Sequence, residues 1–562
     1  MIDNFGTELI SAALKKAASA VGAPEAFDPE VTRPRDPEHG DWASNAALVL
    51  SKTLGIAPRE LAESLQCLID LDEAGIAAIE VAGPGFLNFR LVDASIWLRV
   101  VEVLEADEDW GRVDGSSGRR VNVEFVSANP TGPLHVAHGR GAAIGDAVAS
   151  LLEQVGDQVT REFYVNDAGR QISLLGESVG ARFDELQGRP FSIPEGGYHG
   201  DYVVDVARSI SEVVGEKVLD TLDPKDRRKE IQDLAVEMLM EEQRCDLEAF
   251  GVHMDGFFPE SSLYESGAID NLLKLLKGRK LVYEEEGATW LRTSNFGDEK
   301  DRVLIKGDGS FTYFLPDLAY HLDKAERNFD LAIDVWGADH QGHEQRMEAA
   351  LGALDKPDLL EVLIIQLVTV MRGGEEAPMS KRAGSFVALR DLLDKTGRDV
   401  ARYFFLMRRA EVHLNFDLDL ALDTSETNPV YKIQYAHARM CSAFKKGGIN
   451  EAEIPIDSEG LGLLSTDAER KVVLAVMKFP EVLVTAAKMR APHIVCAYLE
   501  ETAGLVNSWY HQGNVDPALR ILVESPERTA RIKLARAVQI TLRNGLHVLG
   551  LTAPRTLSRE GA

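Results

Sequence analysis

Period-two alternation and helical spacing take turns along the chain, and beyond Asn428 helical spacing stands alone. The opening MIDNFGTELISAALKKAAS has the spacing of an amphipathic helix. In VAGPGFLNFRL, Gly83, Pro84 and Gly85 punctuate the chain before an apolar strand-like run, which closes a small α/β unit over residues 1–95. VNVEFV at 121–126 alternates with period two, a loop rich in proline and glycine follows, and Ile144, Val148, Leu151, Leu152 and Val155 then recur at helical spacing. A second alternating strand, VTREFYV, comes straight after. Strand, loop, helix and strand make a βαβ unit, which implies a parallel sheet with ligands at the carboxyl ends of its strands. The functional loop is therefore expected between Val126 and Gly141.

The stretch 180–260 is polar and helical, and reads as an insertion between the halves of the sheet. LAIDVW at 331–336 and the apolar run VLIIQLVTVM at 362–371 predict two more strands, the second running into GGEEAPMSKRAGS. ERKVVLAVMKFPEVLVTAAKM and RTARIKLARAVQITLRNGL place an all-helical unit at 426–562. The expected fold class is α/β: a Rossmann-like parallel-sheet domain over 96–425, between a small N-terminal α/β domain and a helical C-terminal domain.

Composition narrows the class. A chain of 562 residues exceeds what one core of roughly 250–300 residues holds, so about three domains are expected. Its 45% hydrophobic and 27% charged residues are ordinary for a soluble protein, and no apolar run approaches a membrane span. The N-terminal stretch carries acids and lacks a basic region followed by an apolar one, so the cytoplasm is the expected location. Cys67, Cys245, Cys441 and Cys496 lie far apart with no CxxC pair, which argues against disulfides or zinc and predicts buried, reduced thiols. The net charge of −29 runs against a nucleic-acid partner, which needs a basic footprint. The distribution softens this: residues 426–562 hold 17 Lys and Arg against 14 Asp and Glu, a local charge of +3 that leaves −32 for the rest. Arg528, Arg531, Lys533, Arg536 and Arg543 are candidates for a basic surface there, although a solvated helix face fits the same charges.

The loop SANPTGPLHVAHGRG sets His135 and His138 three residues apart at the opening of a helix, beside glycines that let a phosphate approach backbone N–H groups. Two imidazoles so placed can donate to a phosphate whose charge spreads in the transition state. A histidine pair alone is as often incidental. Downstream, MSKR supplies Ser380 and Lys381 after a buried strand, where a lysine can reach a triphosphate; by itself such a lysine is ordinarily just solvated.

Together the two loops resemble the HIGH and KMSKS signatures of class I aminoacyl-tRNA synthetases, in the same order on the same kind of fold. VEFVSANPTGPLHVAHGRGAAIGDA, FYVNDAGRQI, RVLIKGDGSFTYFLPDLAYHLDK, MSKRAGSFVALRDLL and NPVYKIQYAHARMCS narrow the resemblance to arginyl-tRNA synthetases. HGDWASNAALVLSK and GPGFLNF resemble the N-terminal additional domain of that family, so the match spans nearly the whole chain. Two departures stand out: Ala137 where the family usually has glycine, and Pro378 where the first KMSKS lysine usually lies. Somewhat altered ATP binding is expected from them, not loss of function.

The resemblance implies arginyl-adenylate formation from L-arginine and ATP, then transfer to the terminal ribose 2′-OH of tRNA(Arg), with tRNA needed even for the first step. It implies ATP as its Mg²⁺ complex, no tightly bound metal or organic cofactor, no membrane, and a monomer. By carry-over, His135, His138, Ser380 and Lys381 are the catalytic candidates, and Ala137, Gly139 and Met379 join His135, His138 and Lys381 around ATP. Ser127, Asn129 and His138 are expected to hold the α-amino and carboxylate end of arginine, with Glu124 helping to fix the pocket. Arginine selection demands a carboxylate facing a planar guanidinium. Asp317 is the leading candidate, with Tyr313 one turn before it; a core tyrosine and a helix-capping aspartate are the bland alternatives. A further contact falls on His340 or Gln341, and the choice stays open. Tyr435, His437, Trp509 and Tyr510 offer aromatic faces for unstacked tRNA bases, against the alternative that they are core. The rivals are a cofactor adenylyltransferase, which needs no large helical domain after the lysine loop, and a catalytically silent relative that only carries tRNA or senses arginine.

Overall fold

The computed structural model describes residues 7–34, 36, 39–113, 118–214, 219–340, 342–377 and 387–557. The chain opens with α1 (Thr7–Ala20), α2 (Ala46–Leu54) and α3 (Pro58–Leu68). These accompany an antiparallel sheet of β1 (Val31–Thr32), β2 (Trp42–Ser44), β3 (Ile76–Ala82) and β4 (Phe86–Leu91), in the order β1-β2-β4-β3. A long helix, α4 (Asp93–Ala106), then leads to the main sheet.

That sheet is built from β5 (Arg120–Glu124), β6 (Gln158–Val165), β7 (Gly256–Pro259), β11 (Leu331–Gly337) and β12 (Leu360–Ile365). Its order is β12-β11-β5-β6-β7, with every neighbouring pair parallel. From β5 the chain moves to one side, and it later returns to β11 on the other, so the carboxyl ends of β5 and β11 flank a topological switch point. The crossover α5 (Val136–Gln154) is buried along most of its length, which its glycines and alanines permit. A β-carbon added at Gly145 would stand 2.3 Å from the Phe125 ring.

Two elements differ from the sequence pattern. The insertion is helical as expected, with α6 (Arg170–Leu186), α7 (Asp201–Val214) and α8 (Pro224–Ala249) closing on a small core around Leu175, Phe183, Val203, Ile210 and Leu239. It lies between β6 and β7, inside the first half of the sheet. The halves are separated instead by α9 (Ala268–Gly278), a small antiparallel sheet of β8 (Val282–Glu285), β9 (Ala288–Leu291) and β10 (Arg302–Ile305), and α10 (Phe314–Glu326). With only four residues, β7 is too short to announce itself by periodicity. The apolar run 362–371 is likewise not one strand. After α11 (Glu344–Ala353), β12 ends at Ile365, and β13 (Val368–Arg372) joins another sheet with β14 (Glu375–Glu376) and β15 (Leu414–Asp417). The fully buried Arg140 holds the break, donating to the carbonyls of Gln366 and Arg409 at 2.8 Å each.

Beyond β13 come α12 (Leu389–Thr396) and α13 (Arg398–Leu406), and then the helical bundle α14 (Pro429–Gly447), α15 (Asp467–Met477), α16 (Phe479–Met489), α17 (His493–Val515) and α18 (Arg528–Val548). Asn428 caps α14 by accepting from the Val430 N–H, with Pro429 in the first turn where its missing N–H costs nothing. The expected basic surface on α18 is overturned for four of its five residues, Arg528 staying partly exposed beside Glu524. Arg531 and Lys533 are buried, paired with Glu469 (2.8 Å) and Asp457, while Arg536 and Arg543 bond Asp107 at 3.1 and 2.7 Å. These cations bolt the bundle together and to the end of α4, because a buried charge must be paired. Of the four cysteines, all free, Cys441 and Cys496 are buried as expected, whereas Cys67 and Cys245 are exposed. Among the described residues no helix is long and apolar enough to cross a membrane.

Candidate active site

Three neighbouring strands each place an acid at the same level of the sheet. Asp334 of β11, Glu124 of β5 and Glu162 of β6 are direct neighbours in register. All three are buried, and α10 lies across them to neutralise the row. Lys324 Nζ donates to Glu124 Oε2 at 2.7 Å and Asp334 Oδ1 at 2.8 Å; His321 joins Asp334 at 2.8 Å and donates through Nδ1 to the Asp317 carbonyl at 2.7 Å. Tyr320 (2.7 Å) and Arg327 (2.6 and 2.9 Å) hold Glu162. Burial would lift the Asp334 pKa, but Lys324 and His321 hold it down at about 2. Glu124 is raised, first by burial and then by the charge of Asp334, against the pull of Lys324. Burial works against protonated His321 and Lys324 too, yet the carboxylates raise both.

Asp317 stands one turn earlier on α10, half-buried, and no hydrogen bond or ion pair reaches its carboxylate among the described residues. Burial raises its pKa to about 7, with Glu260, Glu124 and Asp334 adding to the rise and His321 opposing it. Glu260, buried and also raised, accepts from the Tyr264 hydroxyl at 3.0 Å. Asp317 and Glu260 are thus two raised carboxyls close enough for the charge of one to lift the other. Tyr313 caps the start of α10 and is 71% exposed, so it lies at the surface and not in the core. His340 is exposed beside Asp339 at 3.4 Å; Gln341 lies outside the described residues.

Val126 and Ser127 turn the chain out of β5 with left-handed φ angles of 71° and 39°, a strained conformation for residues with a β-carbon. Ser127 Oγ locks the turn by donating to Glu124 Oε1 at 2.9 Å and accepting from the Tyr164 N–H at 3.1 Å. Asn129 donates to Gln171 Oε1 at 2.6 Å. At the start of α5 the rings of His135 and His138 stack with centroids 3.6 Å apart, and His138 Nδ1 accepts from the His135 N–H at 3.3 Å. That bond leaves the His138 proton on Nε2. Burial lowers the pKa of both, that of His138 to about 3 with help from His135, so the pair offers neutral N–H donors, not cations. Ala137 is half-buried in the same turn. Gly139 is buried, and a β-carbon there would stand 2.5 Å from Leu389, so its smallness serves helix packing in addition to any ligand. Pro378, Met379, Ser380 and Lys381 lie outside the described residues. The chain that follows them is pinned beside the histidines: Val136 donates to the Val387 carbonyl at 3.0 Å, and Leu389 donates to that of Leu134 at 2.8 Å.

Three family models match the chain: the arginyl tRNA synthetase N terminal domain at residues 6–91, the class I (R) tRNA synthetase catalytic domain at 99–411, and the DALR anticodon binding domain at 433–557. The arginine–tRNA ligase of Listeria welshimeri is 43% identical over 554 residues, 98% of each chain. The chain belongs to the arginyl-tRNA synthetase family. The arginine–tRNA ligase of Bacillus pumilus is 42% identical, over 99% of each chain. The Thermus thermophilus arginyl-tRNA synthetase covers 98% of this chain and all of its own with a TM-score of 0.76; at 23% identity it speaks for the fold. Membership carries the family's reaction: arginine is activated with ATP and then joined to tRNA.

Within this synthetase the bundle brings only part of the aromatic set to the surface. Trp509 and His437 are each 2% exposed, and His437 bonds the Pro554 carbonyl at 3.0 Å, so neither presents a face to a base. Tyr435 and Tyr510 are half-buried and flank Arg439, whose guanidinium lies 4.4 and 4.7 Å from their ring centroids. The buried charged residues around Asp317 and Glu124 that sequence reasoning missed are Lys324, Asp334, His321, Glu162 and Glu260. The available signal was a lone acid, Asp334, within the otherwise apolar strand LAIDVW.

Proposed function

We propose that the guanidinium of arginine enters between Asp317 and Glu260, with Tyr313 covering the mouth, and that the raised, unpaired carboxyl of Asp317 carries this reading. An arginine fork matches two carboxylates better than the compact charge of lysine. The α-amino and carboxylate end then reaches Asn129 and His138 beside the Ser127 turn. Lys324, already shared by Glu124 and Asp334, keeps Glu124 in place beneath it. ATP enters as its Mg²⁺ complex over the first turn of α5, and the arginine carboxylate attacks the α-phosphate in line as pyrophosphate leaves. His135 and His138 donate to the phosphate oxygens as charge spreads, with Ser380 and Lys381 from the second signature acting on the same phosphates. Ala137 and Met379 border the adenine. In the second step the terminal 2′-OH of tRNA(Arg) attacks the adenylate carbonyl and AMP leaves.

Residues 1–95, 96–425 and 426–562 divide the work into tRNA contact, catalysis and anticodon contact. Tyr435, Arg439 and Tyr510 form the base-stacking surface of the last. A monomer completes this reading, and four free thiols support a cytoplasmic location.

The pH dependence of arginine use tests the pocket. A carboxyl with a pKa of about 7 must give up its proton to pair with a guanidinium. Arginine kcat/KM therefore falls about tenfold from pH 8 to pH 6, while the KM for ATP stays flat. Burial holds both signature histidines below their ordinary value, so the fall belongs to the two pocket carboxyls, and the share of Asp317 disappears in Asp317→Asn. A flat wild-type profile, or one unchanged in the variant, removes Asp317 from arginine recognition.

A further inference from the structure

We infer that Gln243, on helix α8 of the insertion, is a positioning residue for the arginine-binding loop; the inference rests on the reading that Asn129 and its loop hold the substrate. Its carboxamide is 1% exposed, and Nε2 donates to two carbonyls of that loop, Asn129 at 3.2 Å and Gly132 at 2.9 Å. From the neighbouring helix α7, the Tyr202 hydroxyl donates to the Thr131 carbonyl at 2.8 Å, in the space left by Gly132, where a β-carbon would meet the Tyr202 ring at 3.3 Å. Carbonyls 129, 131 and 132 are thus all gripped from the insertion. One turn along the same face of α8, buried Asp246 bonds Arg390 at 2.9 Å, just past the segment that pins to the histidine pair. A single helix therefore holds both the loop before α5 and the start of α12.

Two features argue that this grip serves more than stability. The loop starts with two strained left-handed residues, Val126 and Ser127, a conformation that persists only where surroundings enforce it. The other end of the Gln243 side chain, Oε1, is buried with no hydrogen-bond partner among the described residues. Burying an unmade acceptor costs stability, so an apolar side chain of the same length would suit a purely structural position better. What Gln243 supplies is the donor end, aimed at the carbonyls whose orientation sets Asn129 against the arginine carboxylate.

The test uses the full chain with tRNA present and reads arginine-dependent ATP–pyrophosphate exchange and melting temperature for Gln243→Met, Gln243→Glu and Asn129→Ala. Gln243→Met removes the donors and lowers kcat roughly ten- to a hundredfold with a raised arginine KM, while the KM for ATP moves less than about twofold. Gln243→Glu donates only when its new carboxyl is protonated, so its activity relative to wild type recovers as pH falls from 8 to 6. Near wild-type exchange in both Gln243 variants, with Asn129→Ala impaired, overturns the positioning role and leaves the loop reading intact. Equal losses in both variants at every pH, matched by lower melting temperatures, also overturn it, because that is the mark of a structural residue. An Asn129→Ala variant with unchanged kinetics shows instead that the loop reading underneath has failed.

Discussion

Replacing Asp317 with asparagine lowers arginine kcat/KM by roughly two to four powers of ten, the kinetic equivalent of the ~3–5 kcal/mol lost when one partner of a desolvated ion pair is removed. The substitution keeps size and hydrogen-bonding capacity and removes only the charge facing the guanidinium. At pH 8 the wild-type carboxyl is ionised, so the comparison is cleanest there. Citrulline, neutral and nearly isosteric, loses little from the same change, and discrimination between the two collapses although neither becomes a good substrate. The KM for ATP stays near normal. Stability moves the other way. A carboxyl raised from 3.8 to about 7 on folding binds more protons in the folded state, so its contribution is full below pH 3.8 and is lost as pH rises through 7. Asp317→Asn lacks that loss, and at pH 8 it melts no lower than wild type. A variant that unfolds, or that loses arginine and ATP together, identifies Asp317 as a structural cap.

Lys381→Ala slows adenylate formation by roughly two to three powers of ten at saturating ATP, while arginine affinity changes less than about threefold. Its charge acts on the phosphates and not on the amino acid. Because burial works against the charged form of both signature histidines, they cannot substitute for a missing cation. Single-turnover formation of arginyl-adenylate separates this step from tRNA transfer. Unchanged adenylate formation removes Lys381 from the mechanism.

Much of the architecture was legible in the residues. Alternation in VNVEFV and VTREFYV around a helical stretch implied the parallel β5–α5–β6 unit, and Asn428 marked the start of the bundle where its side chain caps α14. Tertiary packing decided what periodicity could not. Arg140 breaks the run 362–371 from behind by taking the Gln366 carbonyl, and a four-residue β7 moved the insertion into the first half of the sheet. At the site, residue types told which groups have the right chemistry but not what surrounds them. Asp317 was visible as a carboxylate; its lack of a partner among the described residues, and the proximity of Glu260, depend on residues far apart in the chain. Trp509 and the basic residues of α18 show the converse, since side chains suited to RNA by type are spent inside the bundle.

Arginine-dependent ATP–pyrophosphate exchange, run with and without tRNA(Arg), tests the central claim most directly. Rapid exchange with arginine and tRNA together, with citrulline and lysine far below arginine and little exchange when tRNA is omitted, is the predicted result. No exchange with arginine, ATP and tRNA all present, or equal exchange with lysine, contradicts the account.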